Sequence, residues 1–164
     1  MRTQAKRMAL GGVTAALAVV VMCLGTLIPV ATYMAPMLLC LFLGFLKPML
    51  GVKYGIAWYL TVAILGLLMA PDKEAAALFA FLGYYPLVKP WLDQKPLAIL
   101  WKILLFNVTI LAMYWLLMHV FGVAAIREEF QELGVVMTLP TLLLGNVTFF
   151  LMDSLLGRKL KWGR

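Results

Sequence analysis

The stretch Met8–Ile28, MALGGVTAALAVVVMCLGTLI, contains no charged residue. A membrane-spanning helix needs about 20 predominantly apolar residues, because the hydrocarbon core of a bilayer is roughly 30 Å thick. The stretch follows a short basic start that contains Arg2, Lys6 and Arg7. We interpret it as a first transmembrane helix, since it is longer than the apolar core of a signal peptide.

The rest of the chain resembles this first stretch in composition. Of the 164 residues, 65% are apolar and 13% are charged, and the mean hydropathy is +0.99. A soluble domain has roughly 45–50% apolar and about 25% charged residues. The composition therefore argues against a soluble enzyme or binding module and predicts an all-α integral membrane protein.

Apolar segments bounded by proline, glycine and charge predict a bundle of six transmembrane helices, which form a single domain over residues 1–164. The second and fourth segments are short for a crossing, and prolines such as Pro36 and Pro86 flank or interrupt them. Broken spans are tolerated only where protein or a cavity satisfies the freed backbone groups. We therefore expect these two segments to border a packed interface or a cavity. The approximate spans are 7–28, 33–46, 53–70, 74–89, 97–121 and 134–157.

The loop charges predict the orientation. If the N-terminus is cytoplasmic, every Lys and Arg lies on the cytoplasmic side except Lys73 and Arg127. Every Asp and Glu then lies on the outer side except Asp93 and Asp153. This distribution follows the positive-inside rule and places both termini in the cytoplasm. The basic residues lie beside apolar segments rather than along one polar face, which argues against nucleic-acid binding.

The sequence lacks the residue groups of an enzyme. It has one histidine, no pair of acids inside a span, no cluster of metal ligands and no glycine-rich phosphate loop. We expect no catalytic site, no metal site and no cofactor. Asp153 is the only acid well inside a predicted span, whereas ion-driven carriers usually need intramembrane carboxylates. If the protein moves a solute, we expect a partner to supply the energy.

Small residues recur along the first predicted helix at Ala5, Ala9, Gly12 and Ala16. Spacings of four, three and four place them on one helical face, and such a face lets another helix approach closely. The other helix could belong to the same bundle or to a second membrane protein, and the spacing favours neither.

The fifth and sixth predicted helices each contain Asn-Val-Thr, at Asn107 and at Asn146. In antiparallel helices these two amides should lie at the same depth, where they can hydrogen-bond to each other. The alternative is that one or both of them line a substrate cavity.

Polar and aromatic residues on the outer side form a second group of candidates. A rim of mixed charge over a membrane cavity suits the capture of a small polar molecule, with Tyr33 and Trp115 as possible ligand walls. The alternative is a solvated loop face with weak local ion pairs. The candidate substrate-binding residues are Tyr33, Asp72, Lys73, Glu74, Asn107, Trp115, His119, Arg127 and Asn146.

The remaining aromatic residues lie near the predicted cytoplasmic edge, where interfacial belts are common. This predicted inner belt comprises Trp58, Tyr59, Tyr84, Tyr85, Trp91, Trp101 and Trp162.

The stretch Ala5–Leu17, AKRMALGGVTAAL, carries a family resemblance. A basic start, a small-residue first helix with Ala5 and Ala9 in an AxxxA pattern, and six helices in a chain of this length resemble the S components of energy-coupling factor (ECF) transporters. The architecture matches over the whole chain, and the specific motif covers its first fifth.

The resemblance implies a substrate-binding subunit of a multi-pass importer in the bacterial plasma membrane, usually for a vitamin. It implies as partners a transmembrane coupling protein, contacted by the first helix, and two cytoplasmic ATPases. The family's pocket is capped by the loops after helices one, three and five, which here contain Thr32 and Tyr33, residues 72–74 and residues 127–132. The residue signature of a particular vitamin is absent, so the substrate stays open.

An alternative comes from another class of protein. Rod-shape-determining membrane proteins have five or six helices in a similar length and act as scaffolds without transporting a solute. In that case the small-residue face would bind another membrane protein and the outer loops would be inert.

Overall fold

The computed structural model describes residues 2–25, 31–119, 140 and 142–157. Within these residues the chain is helical apart from short turns, and no strand occurs, which confirms the predicted all-α class. The helices are α1 (Arg2–Gly25), α2 (Ala31–Leu50), α3 (Val52–Met69), α4 (Lys73–Leu82), α5 (Tyr85–Leu92), α6 (Ala98–His119) and α7 (Leu142–Gly157).

Four of the described helices are long and apolar enough to cross a membrane. The apolar stretches are Gln4–Leu24, Thr32–Leu50, Val52–Met69 and Ala98–Leu117, and α7 is a shorter apolar helix. These helices correspond to the predicted first, second, third, fifth and sixth spans.

The second predicted span, 33–46, is too short as written. Helix α2 runs over Ala31–Leu50 and continues through Pro36 and Pro48. A proline removes one backbone hydrogen bond, whereas α2 buries Leu39, Leu43 and other side chains against its neighbours. Packing therefore keeps the helix intact where the sequence pattern suggested a boundary.

The fourth predicted span, 74–89, is wrong as a single helix. The structure has α4 and α5 instead, separated by Gly83 and Tyr84. Pro86 lies just after this break and cannot donate a backbone hydrogen bond to Leu82. The missing donor explains why regular helix ends near Leu82.

The chain divides into two units, residues 1–93 and 94–164. In the first unit, α3 packs against α1, α2 and α4. Helix α4 buries Ala75–Phe79 without interruption, so it is enclosed on all sides, as expected of a helix that is apolar all round. Small residues permit this packing, since a Cβ added to Gly66 of α3 would lie 2.7 Å from the Met22 sulfur of α1.

Two members of the predicted inner belt are core residues of this first unit. Trp58 is 3% exposed and Tyr85 is 0% exposed, whereas a belt side chain must reach the surface. Trp58 Nε1 donates to Thr14 Oγ1 at 3.1 Å. A buried tryptophan is tolerated when its N–H has a partner, which explains the error for Trp58.

The second unit contains α6 and α7, which run antiparallel. Residue numbers rise along α6 where they fall along the facing side of α7, since Lys102 contacts Asp153 and Asn107 contacts Asn146. Between these levels the rings of Phe106 and Phe149 stack with their centroids 4.8 Å apart.

Candidate functional site

The start of α2 and the start of α4 meet at a polar corner formed by Thr32, Tyr33, Asp72, Lys73 and Glu74. Asp72 is the N-cap of α4, because its Oδ1 accepts from the backbone N–H groups of Glu74 and Ala75, each at 3.0 Å. Its other oxygen, Oδ2, accepts from Thr32 Oγ1 at 2.7 Å. One carboxylate therefore caps α4 and ties it to α2.

A second bond at this polar corner joins two of the predicted substrate-binding residues. Tyr33 donates from its hydroxyl to Glu74 Oε1 at 3.1 Å. Tyr33 is 47% exposed and Glu74 is partly exposed. The tyrosine ring and the carboxylate together offer an aromatic face and a hydrogen-bond acceptor at the surface of this unit.

Lys73 has a different role from the neighbouring acids. Its Nζ donates to the carbonyls of Leu67 and Ala70, both at 2.9 Å. These carbonyls belong to the C-terminal end of α3, where backbone acceptors lack helical donors and a cation is favourable. The ammonium therefore stabilises the end of α3.

The two predicted amides form a reciprocal pair. Asn107 Nδ2 donates to Asn146 Oδ1 at 3.1 Å, and Asn146 Nδ2 donates to Asn107 Oδ1 at 3.2 Å. Each Nδ2 also donates at 2.8 Å to the carbonyl four residues earlier, of Ile103 or Leu142. An amide nitrogen carries two hydrogens, so these bonds use both hydrogens of each side chain. The structure shows the first of the two alternatives, a bond between the helices.

The other predicted binding residues lie in or beyond the end of α6. The rings of Trp115 and His119 stack with centroids 5.1 Å apart, and His119 Nδ1 lies 3.0 Å from the Trp115 carbonyl oxygen. Both side chains are exposed. Arg127 lies outside the described residues.

The small-residue face of α1 is exposed. Ala5, Ala9, Gly12 and Ala16 are all exposed, and a Cβ added to Gly12 would meet no atom within 4 Å. The buried residues of the helix, including Ala15, Ala18, Val19 and Met22, lie on the adjacent side, about a quarter turn around the helix axis. Within the first unit no neighbouring helix covers this face.

Sequence reasoning missed one polar pair in the second unit. Lys102 Nζ lies 2.9 Å from Asp153 Oδ2, and the two side chains are 8% and 14% exposed. The positive-inside distribution places Lys102 on the cytoplasmic side, and in the structure it lies near the start of α6. The available signal was Asp153 itself, because an acid inside an apolar helix needs a partner.

A second missed feature is the pair of side chains that satisfy carbonyls at the α4–α5 break. Lys47 donates to Pro86 O at 3.0 Å and to Leu87 O at 3.4 Å, and Tyr59 donates from its hydroxyl to Ala80 O. Side chains of α2 and α3 therefore hydrogen-bond to backbone carbonyls at this proline-containing break, as expected for a broken span that borders a packed interface.

The described residues contain no group of three or more His, Cys, Asp or Glu side chains placed to hold a metal ion. Comparison of the chain with protein-family models, with curated proteins and with solved structures finds no match. The functional argument therefore rests on the residues of this chain alone.

Proposed function

We propose that this protein is the substrate-binding membrane subunit of an ECF-type, ATP-driven importer that captures a vitamin-like molecule from the outer side of the bacterial plasma membrane. Membrane insertion is supported by four helices of sufficient length and apolarity. It is also supported by large apolar side chains exposed along them, such as Val13, Leu68 and Leu104. Apolar surface of this extent is unfavourable in water and favourable in lipid.

The proposed topology has six crossings, with both termini in the cytoplasm. In it α4 and α5 form the fourth crossing together, since Lys73–Leu92 is long enough to span about 30 Å with helical rise. The sixth crossing is the predicted span 134–157, of which the structure describes residue 140 and α7. The charges of the first unit support this orientation. Asp72 and Glu74 lie at the start of α4, whereas Lys47 and Lys53 flank the α2–α3 junction at the other end of the unit.

The observation that carries the proposal is the polar corner. It joins the residues after the first predicted span to those after the third, through the Thr32–Asp72 and Tyr33–Glu74 bonds. In the family that the sequence resembles, these two loops are among the three that cap the pocket. The polar corner thus contains four of the predicted binding residues, Tyr33, Asp72, Lys73 and Glu74. Tyr33 lies about 40 residues before the other three in the sequence.

The partners follow from the small-residue face of α1. The exposed residues Ala5, Ala9, Gly12 and Ala16 lack bulky side chains, so the face they form is suited to close contact with another helix. We assign it to the transmembrane coupling protein, which would connect this subunit to two cytoplasmic ATPases.

Purification of the tagged protein from its native membrane, followed by mass spectrometry of the bound proteins, tests this assignment. We expect the wild type to recover two ATPases and a membrane coupling protein. Ala9→Trp should lose them because the indole blocks close approach, whereas Ala112→Trp, at an exposed alanine of α6, should retain them. Cell-shape or cytoskeletal proteins without ATPases would instead favour the scaffold alternative.

The polar corner is tested separately by mass spectrometry of small molecules retained by the purified protein. The compound retained by the wild type should be lost at least about tenfold in Glu74→Gln combined with Tyr33→Phe, since one charge-assisted contact contributes about 1.5–3 kcal/mol. The control is Thr148→Val, which removes an exposed hydroxyl of α7 that donates to the Leu144 carbonyl at 2.8 Å. Equal retention by both variants would contradict a role of the corner in binding.

A further inference from the structure

Arg7 of α1 lies over the turn that joins α2 to α3. A Cβ added to Gly51, the residue between these two helices, would lie 3.8 Å from Arg7 Nη1. Gly51 has a φ of 83°, which disfavours any side chain at this position and keeps the surface of the turn open. Lys53 follows by two residues, in the first turn of α3. The fold therefore brings two cations from different helices, Arg7 and Lys53, to one turn.

No acid of the first unit neutralises the two cations at this turn. Residues 1–93 contain three acids. Two of them belong to the polar corner, and the third, Asp93, pairs with Lys89 at 3.4 Å. Arg7 and Lys53 are both exposed, and within the residues that the structure describes their side chains have neither an ion pair nor a hydrogen bond. Their charges are therefore available to an anion that comes from outside the chain.

Large apolar side chains border the same turn. Met49, in the last turn of α2, and Val52, the first residue of α3, are 61% and 56% exposed, and Ile56 is exposed one turn further along α3. From Val52 the apolar surface continues into a stretch long enough to cross a membrane, Val52–Met69. A soluble anion would require only the two charges. A phospholipid has an anionic headgroup and apolar chains, so it matches both the charges and the apolar surface beside them.

We propose that Arg7 and Lys53 bind the headgroup phosphate of an anionic phospholipid in the cytoplasmic leaflet. Met49, Val52 and Ile56 contact the acyl chains of the same lipid. A guanidinium donates two parallel hydrogen bonds to phosphate oxygens, and the ammonium of Lys53 supplies a second positive charge. This inference rests on the membrane insertion in the proposed function but not on transport. Its test requires neither ATPases nor a transported substrate, so its failure is distinguishable from failure of the importer proposal.

Lipid binding to the full-length protein in a neutral detergent tests the inference. The probes are dioleoylphosphatidylglycerol, which is anionic, and dioleoylphosphatidylcholine, which is zwitterionic. Mass spectrometry measures the lipid that stays with the protein after gel filtration, at increasing lipid concentrations. The wild type should reach half-saturation with phosphatidylglycerol at a concentration at least about tenfold lower than with phosphatidylcholine, because two cations near a lipid headgroup favour the anionic one.

Single substitutions locate the binding site. Arg7→Gln and Lys53→Gln should each raise the phosphatidylglycerol concentration for half-saturation about fivefold, and the double variant roughly 25-fold. Because the two residues lie on different helices, the test does not depend on the folding of one variant. The matched control is Lys6→Gln, which removes the same charge from an exposed neighbour whose side chain leaves α1 about 100° around the helix axis from Arg7. We expect less than a twofold effect for this control.

Inorganic phosphate separates a lipid from a soluble anion as the occupant. In 100-fold molar excess over the lipid, with ionic strength matched by chloride, it should leave phosphatidylglycerol bound, because it lacks the acyl chains. The proposal is overturned if phosphate displaces the lipid, or if the wild type binds both lipids equally well. It is also overturned if Lys6→Gln weakens phosphatidylglycerol binding as much as Arg7→Gln does.

Discussion

Asn107 of α6 and Asn146 of α7 each donate a hydrogen bond to the other's side-chain carbonyl, at 3.1 and 3.2 Å. Each amide also donates to its own helix, so the two side chains form a closed polar unit within an apolar helix pair. A single replacement leaves the other amide without its partner, which is the costly outcome for a polar group in apolar surroundings.

The amide pair should therefore show energetic coupling. In a double-mutant cycle with Asn107→Leu and Asn146→Leu, we expect the double variant to be more stable than the sum of the single changes predicts, by about 0.6–1.7 kcal/mol. The free energy of unfolding in mixed micelles measures this coupling. Thr148→Val, at an exposed position of α7, is the control and should change stability little. Strictly additive effects of the two asparagine changes would contradict the pairing.

The Lys102–Asp153 pair should be the stronger polar link between α6 and α7. Its side chains are 8% and 14% exposed, and removing one partner of a buried pair costs about 3–5 kcal/mol. Asp153→Leu should lower the free energy of unfolding by an amount near this range. Lys102→Leu combined with Asp153→Leu should recover most of it, because no buried charge then remains.

The control for the ion pair is Ser154→Ala, which changes the exposed neighbour of Asp153. It should unfold like the wild type. If the double variant is as unstable as Asp153→Leu alone, the cost does not arise from an unpaired charge.

Gly83 should be required for the α4–α5 break, although its backbone angles suit any residue. Its φ is −61°, but a Cβ there would lie 2.5 Å from the Phe79 carbonyl oxygen and 2.9 Å from the Phe79 ring. Gly83→Ala should therefore destabilise the fold by about 1–3 kcal/mol, as overpacking does. Gly12→Ala is the matched change at an open position and should be neutral or stabilising, by up to about 1 kcal/mol. Thermal unfolding of both variants measures this difference. Equal melting temperatures for Gly83→Ala and Gly12→Ala would contradict the steric argument.

Asp72 should stabilise α4 as its N-cap and not through its charge alone. Asp72→Ala should cost about 0.5–2 kcal/mol, the usual range for an N-cap, and should also leave Thr32 without the acceptor that it has at 2.7 Å. Asp72→Asn keeps one acceptor oxygen for the cap, and its Nδ2 can donate to Thr32 Oγ1 where Oδ2 accepted from it, so we expect it to unfold close to the wild type in a denaturant titration. A loss in Asp72→Asn as large as in Asp72→Ala would show that the charge dominates.

Local sequence pattern was sufficient to predict most helices. The uncharged run that begins at Met8 and the segment that contains Asn107 lie in α1 and α6, as predicted, because apolar length and composition act within one segment. The prolines also indicated that the fourth predicted span is interrupted. They did not show that α2 continues through Pro36 whereas the helix before Pro86 ends, because that difference depends on which neighbouring side chains pack against the backbone and hydrogen-bond to its free carbonyls.

The sequence by itself determined the all-helical class and the apolar lengths of α1, α3 and α6, and it identified Asn107 with Asn146 as a possible pair. Only the tertiary structure decided that these amides bond to each other, that Lys102 meets Asp153, and that Trp58 and Tyr85 are buried rather than interfacial. The physical reason is that helix formation depends on near neighbours in sequence, whereas the partner of a side chain depends on the register and packing of helices distant in sequence.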